Sequence, residues 1–321
     1  MQNLLTILAD GEIHSGQDLA DKQGVSRTAV WKQVRAVADL GVDVERVRGL
    51  GYRVPGGLDL LDQRLIERGL QHDARALLAG LEIYTSIDST NLELQRRNIE
   101  ASGATVCLAE SQTAGRGRRG RAWQSPFASS IYMSVAWKFH GGATAFGGLS
   151  LMLGVVVSQA LDALGVDGVG LKWPNDVLRH GRKLAGVLVE ISGDVTGPCT
   201  VIMGIGINVA VPKEAARQID QPWSDLSELR TAGTSRNQIV AQVLNRLLPA
   251  LAVYEEQGFA NWSEPWHALH VYQDQPVLIR SAEQVTTGIA RGVDEQGALL
   301  LETPQGVQRM HGGEVSLRPV S

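Results

Sequence analysis

Residues 114–121 read AGRGRRGR, with four arginines, three glycines and no carboxylate in eight positions. Guanidinium forks grip phosphate oxygens two at a time, and glycines let backbone N–H groups approach the same anion. A solvated arginine–glycine tail for nucleic acid is the competing explanation. This run, however, is short, internal and flanked by CLAESQ and AWQSPF, both packable. Ordering seven such residues costs on the order of 7–14 kcal/mol, at about 1–2 each, so the loop is expected to be mobile when empty and closed over a tightly bound anion. It is not a Walker A loop, because Arg121 and Ala122 stand where Lys and Ser/Thr would reach phosphate and magnesium. GIGINV at 204–209 lacks the third glycine of a dinucleotide fingerprint. Two further stretches carry chemistry-bearing side chains. LKWPNDV, 171–177, sets Lys, Trp, Asn and Asp around a proline turn, and RKLAGVLVE, 182–190, opens a strand with Lys183 beside the small residues Ala185 and Gly186.

The elements that must hold these residues are legible in outline. TVCLAE, SIYMSVAWKF, VGLKW, KLAGVLVEI and TVIMGIGINV read as strands. GGLSLMLGVVVSQALDALG and RNQIVAQVLNRLLPALAVYEEQ read as helices. Short connections such as VLRHGRKLAGVLVEI predict a mixed, largely antiparallel sheet with helices on one face, an α+β fold. Beyond residue 270, apolar and polar residues alternate between DEQG, TPQG and HGG turns, which predicts a small β barrel.

The N-terminal stretch is a separate unit. Leu4, Leu5, Ile7 and Leu8 share a helical face; Ser15 and Ser26 are candidate caps for two further helices around the GVS turn. That is the outline of a helix-turn-helix. At about 100° per residue, Val30, Val34 and Val37 fall on one side of the second helix and Thr28, Trp31, Lys32 and Arg35 on the other, an arrangement suited to the major groove. VDVERVRGLGYRV then predicts a hairpin wing, and VPGGLDLLD a linker. Residues 1–56 carry seven basic and seven acidic side chains, yet 27–38 and 46–58 hold no acid. Positive charge is thus concentrated on the helix and wing, and Ser26, Arg27, Thr28, Trp31, Lys32, Arg35, Arg46 and Arg48 are the candidate DNA contacts. A winged helix also serves as a protein-interaction or purely structural module, and that alternative stands beside DNA binding.

Composition bounds the rest. A chain of 321 residues exceeds the usual size of one core. Its net charge of −4 excludes a protein that coats nucleic acid over its whole surface. Cys107 and Cys199 are too few for a disulfide scaffold, which fits a reducing cytosol. The N-terminus lacks the pattern of a signal peptide, and LSLMLGVVV falls short of a membrane span. A cytoplasmic location without membrane attachment is expected. HALH at 267–270 offers two histidines without further ligands, so no metal site is assigned.

Taken together, IDSTN (87–91), ESQTAGRGRRGR (110–121), W-x-SPF (123–127), LKWPNDV, RKLAGVLVE and GIGIN (204–208) resemble the biotin–protein ligases, in that family's order and across nearly the whole central region. The winged helix in front and the β domain behind are similar to the bifunctional bacterial type, biotin ligase and biotin-operon repressor. The resemblance implies a DNA-binding domain at 1–60, a synthetase-like catalytic domain at 63–270 and an SH3-like barrel at 271–321. It implies formation of biotinyl-5′-AMP from biotin and ATP with Mg2+, then transfer of biotin to a lysine of the biotin carboxyl carrier domain of acetyl-CoA carboxylase. By the same resemblance Ser89, Thr90, Asn91 and Gln112 bind the ureido ring. Gly115, Arg116, Gly117, Arg118 and Arg119 wrap the biotin tail and adenylate, with Arg116, Arg118 and Arg121 towards phosphates. Trp123 walls the pocket and Gly186 and Leu188 floor it. Lys183 bridges carboxylate and α-phosphate, with Lys172, Asn175 and Asp176 nearby. Lys183, Arg118 and Asp176 form the implied catalytic set, Asp176 orienting the incoming amine or Mg2+. Asn208 lies near the adenylate and Trp223 stacks on adenine. ASSIY follows SPF where the family has a Gly-Ala-Asn type sequence, so any role for that asparagine is lost.

The implied regulation is a homodimer promoted by biotinyl-AMP on operator DNA, with HGGATAFGG (140–148) in the dimer surface. A ligand-sensing repressor without turnover and a lipoate or octanoate ligase are the alternatives. Simple packing is the alternative for Trp123, Trp173 and Trp223, and helix capping for Ser89.

Overall fold

The computed structural model describes residues 2–99, 102–140, 146–193, 198–280, 285–312 and 316–319. At the N-terminus, α1 (Gln2–Leu8), α2 (Gly16–Gln23) and α3 (Arg27–Asp39) precede a hairpin of β1 (Glu45–Val47) and β2 (Gly51–Arg53). Ser15 and Ser26 cap α2 and α3, their side chains accepting from the Asp18 and Ala29 N–H groups. Gly24 ends α2 at φ 64, which makes the sharp turn between the two helices. Leu4, Leu5, Leu8, Leu19, Val30, Val34 and Val37 form this unit's buried core.

The central region opens with α4 (Gln63–Arg68) and α5 (His72–Leu77). Then follow β3 (Leu78–Tyr84), α6 (Thr90–Arg96), β4 (Ala104–Ala109), β5 (Ser130–Phe139), α7 (Leu149–Asp162), β6 (Val169–Lys172), β7 (Asp176–Arg179), β8 (Arg182–Gly193) and β9 (Cys199–Asn208). Four helices close it: α8 (Lys213–Ala216), α9 (Ser227–Thr231), α10 (Arg236–Gln257) and α11 (Ala260–Leu269). The strands form one sheet in the order β3-β4-β5-β9-β8-β7-β6. Every neighbouring pair is antiparallel except β3 with β4. The sequence reading did not resolve β3, since LAGLEIY follows α5 directly and its two small residues weaken the strand pattern.

Alternation along the strands assigns the two faces. Val106, Leu108, Ile131, Met133, Val135, Met203, Ile205 and Ile207 belong to the large core under α7 and α10. Their neighbours Cys107, Ala136 and Ile202 pack instead with Leu94 of α6. Helices therefore pack on both faces, not one as expected, with the short α6 on the second. The rest of that second face is left open for the cavity described below.

Residues 276–319 supply β10 (Pro276–Arg280), β11 (Val285–Val293), β12 (Leu299–Thr303), β13 (Gly306–Met310) and β14 (Ser316–Pro319). They form an antiparallel sheet in the order β13-β12-β11-β10-β14, with a bulge between Ala290 and Val293. Its tie to the central region includes the Trp173 indole N–H, which donates to the Gly297 carbonyl at 3.1 Å. Trp173 is core, 1 % exposed.

The linker is only partly a linker. Its second half is stapled to α10, where the Asn237 side chain exchanges hydrogen bonds with Leu60 and Asp62. Arg236 donates to the Asp59 and Ser130 carbonyls and to Glu110. Glu110 in turn accepts from the Leu61 N–H at 2.6 Å.

Candidate active site

A cavity of about 340 Å³ opens on the sheet face opposite α7 and α10, a size typical of a small-molecule site. Even-numbered positions of β9 face it, and two of them are Gly204 and Gly206. A Cβ on Gly206 would lie 2.6 Å from the Trp123 ring, and one on Gly204 would lie 2.5 Å from Asn91 Oδ1. Glycine is required there so that an indole and an amide can lie directly on the sheet.

One end of the cavity is polar and nearly neutral. Ser89, Thr90 and Asn91 are buried at the start of α6, where Ser89 is the cap. Gln112 Oε1 accepts from the Thr90 N–H at 2.9 Å and from its hydroxyl at 3.2 Å. Gln112 Nε2 donates to Ser125 Oγ at 3.1 Å. Asn91 Nδ2 donates to Glu190 at 2.7 Å, while Asn91 Oδ1 accepts from Ser134 Oγ at 2.5 Å.

The other end is cationic. Arg118, Arg119, Arg121, Lys172, Lys183 and Arg318 line it, against the two carboxylates Asp176 and Asp220, among the described residues. The arginine loop is a closed hairpin, with Gly117 N–H donating to the Arg121 carbonyl and Trp123 N–H to the Gly115 carbonyl. Lys183 Nζ lies 2.7 Å from Asp176 Oδ1 and 5.4 Å from the Trp123 ring centre. Lys172 Nζ is 3.9 Å from the other Asp176 oxygen. Burial, with Arg318, Lys183 and Arg121 nearby, pulls the Lys172 ammonium below its ordinary pKa, and Asp176 only partly restores it. Arg118 is likewise lowered by burial; it donates to Asn175 Oδ1 at 3.0 Å and to the Gly312 carbonyl. Two partly desolvated cations, Lys172 and Arg118, beside the exposed arginines of the loop outnumber the nearby carboxylates and so favour an anionic occupant.

Three comparisons bear on this chain. Family models match residues 1–53 (HTH domain), 83–208 (Biotin/lipoate A/B protein ligase family) and 274–318 (Biotin protein ligase C terminal domain). The chain is 41% identical over 317 residues to the bifunctional ligase/repressor BirA of Salmonella typhimurium, covering 98% of this chain and 96% of that one. It is 40% identical to the Escherichia coli protein of the same description, with the same coverage. The chain belongs to the bifunctional biotin ligase/repressor family. Its fold is also that of the biotin protein ligase from Aquifex aeolicus in complex with biotin and ATP, at a TM-score of 0.63 and 31% identity, covering 75% of this chain and 100% of that one.

For this member of the biotin ligase family, the structure brings most of the expected site residues to the main cavity, Gly186, Leu188 and Asn175 among them. It does not bring Gly115, which packs beneath the loop, where a Cβ would lie 2.6 Å from Ser125 Oγ. Asn208 and Trp223 line a smaller adjoining hollow with Trp123 and Lys183, not the main cavity. Asn208 donates to the Lys183 and Ser224 carbonyls, and so tethers the 222–224 segment to β8. Arg116, expected to face phosphate, pairs with Glu190 at the polar end, at 3.0 Å. Sequence reasoning missed Ser134, Glu190 and Arg318. Ser134 had a signal, as a serine in the middle of the apolar run of β5; Arg318 arrives from the last strand and had none.

Elsewhere, Arg27, Thr28, Trp31, Lys32, Arg35, Arg46 and Arg48 are all exposed, while the side chain of Ser26 caps α3. The Arg35 guanidinium lies 5.1 Å from the centre of the Trp31 ring. His267 accepts from the Val293 N–H and His270 stacks on Trp266, so both HALH rings are engaged in packing contacts. Residues 141–145 of HGGATAFGG lie outside the described residues. Among the described residues, no helix is long and apolar enough to cross a membrane.

Proposed function

We propose that this chain is an ATP-dependent biotin–protein ligase that also acts as a DNA-binding, biotin-responsive repressor. The observation that carries the reading is the two-ended cavity: a small hydrogen-bonding end for a neutral ring, continuous with a cluster of cations around Lys183. Biotin is such a molecule, a ureido ring with an acid tail, and ATP brings the phosphates.

In the first step a biotin carboxylate oxygen attacks the α-phosphorus of ATP. A P–O bond forms to the acyl oxygen, the α–β bridging P–O bond breaks, and pyrophosphate leaves. Two anions must meet, so cations placed where charge accumulates lower the barrier. Lys183, already in the cavity over Trp123, is the group proposed to touch both carboxylate and α-phosphate. Arg118, Arg121 and Lys172 carry phosphate charge. Magnesium enters as the MgATP substrate complex, held mainly by phosphates and water. Ser89, Thr90, Asn91 and Gln112 read the ureido group, and an analogue lacking those groups strands buried partners.

In the second step an acceptor lysine amine attacks the acyl carbon, AMP departs with the bonding electrons, and the amine releases its proton. Asp176, next to Lys183, is proposed to orient that amine. The acceptor is proposed to be the biotin carboxyl carrier domain of acetyl-CoA carboxylase. The division of labour follows residues 1–60 for DNA, 63–270 for catalysis and 271–321 for closing the nucleotide end through Arg318. Operator DNA is bound by a homodimer that biotinyl-AMP promotes, in the cytoplasm.

Incubation with biotin, MgATP and a carrier domain tests the reading. Biotin-dependent pyrophosphate release, followed by a covalently biotinylated lysine, is expected. Release driven by lipoate in preference to biotin in a competition assay, or no release at all, would overturn it.

A further inference from the structure

Beside the recognition end of the cavity stands a carboxylate that no role above uses. Along β8, Gly186, Leu188 and Glu190 share one face. The first two line the cavity, and Glu190 is the next residue out. One of its oxygens, Oε2, accepts from Asn91 Nδ2 at 2.7 Å and from Arg116 Nη2 at 3.0 Å. Its side chain is 23% exposed, so these bonds are partly shielded from water.

An ionised carboxylate only accepts hydrogen bonds. The end of the Asn91 amide facing Glu190 must therefore be the NH2 group. Asn91 Oδ1 must then face Ser134, whose hydroxyl oxygen lies 2.5 Å from it and 2.7 Å from Thr90 Oγ1. Without an acceptor-only neighbour the amide could sit either way round, and the donor–acceptor order of the whole polar end would be undetermined. The same oxygen also holds the Arg116 side chain of the arginine loop at the recognition end.

We propose that Glu190 is a positioning residue for biotin specificity: it sets the polarity of Asn91 and pins Arg116, so that the pocket presents one fixed pattern to the ureido group. This rests on the ligase reading above. Glu190 acts through those two residues, and its effect belongs to biotin recognition and not to ATP or to the chemical step.

The test is steady-state adenylation kinetics on the full chain for wild type, Glu190→Ala, Glu190→Gln, Asn91→Ala and the Glu190→Ala/Asn91→Ala double variant, with thermal melting of each. Glu190→Ala is expected to raise the biotin KM about tenfold, the weight of one charge-assisted hydrogen bond. Its kcat and its KM for MgATP should stay within about twofold. Glu190→Gln, which retains an acceptor oxygen but not the charge, should fall between. On the Asn91→Ala background, the loss of Glu190 should cost clearly less than it does alone. A wild-type biotin KM in both Glu190 variants, a defect confined to kcat, or full additivity in the double variant would overturn the proposal. Should Glu190→Ala melt early, Glu190→Gln decides on the same readouts. A wild-type chain that forms no biotinyl-adenylate would sink the ligase reading itself, a different failure.

Discussion

At Lys183 three features meet: a carboxylate 2.7 Å away, an indole ring beneath the ammonium, and a backbone tied to the 222–224 segment. Its position on a strand, not on the loop, keeps the charge in place while substrates change. Replacing it by methionine keeps most of the length and removes the charge. The expected result is a fall of about 10²–10³-fold in biotin-dependent pyrophosphate release, the usual scale for one preorganised electrostatic partner. Activity within a few-fold of wild type would show that the cation is not where charge accumulates. The type and order of such residues were legible from motifs alone. Which atoms they face was not: Arg116 looks interchangeable with Arg118 in GRGRRGR, yet one pairs with Glu190 and the other with Asn175.

Elements rather than single residues carry the next level. The first turn of α10 holds the linker through Arg236, which is 1 % exposed and ion-paired to Glu110. Glu110 is two residues ahead of Gln112, so the staple anchors the base of the arginine loop as well as the winged helix. Removing the guanidinium leaves a buried carboxylate unpaired. Arg236→Ala is expected to cost about 3–5 kcal/mol in chemical denaturation, and a loss under about 1 kcal/mol would count against a buried pair. At the end of α11, burial pushes the His270 ring down to about 4 from an ordinary 6.5. Unfolded chain binds that proton near 6.5 and folded chain only near 4, so the unfolded state holds more protons between those values. Stability should therefore be full above about pH 6.5 and fall as pH drops towards 4, by up to about 3 kcal/mol. His270→Phe, which keeps an aromatic ring for the Trp266 stack, should flatten that part of the denaturation profile; an unchanged slope would refute it. In the sequence the long helices and strands stood out because their periodicity is sustained. β3 and the short α4, α5, α8 and α9 did not, because a few residues without a repeating pattern take their structure from what they pack against.

For the whole molecule, a net charge of −4 coexists with an exposed cationic helix and wing. Long-range attraction to DNA is then weak and contact is local. Substituting alanine for Lys32 or Arg35 should reduce the slope of log K against log salt by about one each, at every sequence tested. An unchanged slope would place DNA elsewhere. The winged helix also touches the catalytic region through Phe127 and Ala128, which pack in its core cluster just beyond Trp123. Ligand at the arginine loop and the placement of the DNA-binding unit thus share a boundary. Biotinyl-AMP is expected to tighten self-association by about 5–150-fold, the range of ordinary allosteric couplings, in sedimentation with and without the ligand. Equal dimerisation constants would remove the coupling.

The chain of amino acids by itself determined the order of the three units, the cap and apolar face of α3, and the presence of an arginine-rich loop between two packable stretches. All of these are local, written in periodicity, capping chemistry and charge within a dozen residues. Only the tertiary structure decided that Gly204 and Gly206 clear a floor for Trp123 and Asn91, that Arg318 from the last strand reaches the cavity, and that Glu190 stands behind the recognition end. Those facts depend on strand register and on contacts between residues tens to hundreds of positions apart. A one-residue slip in pairing would reverse every one of the faces involved.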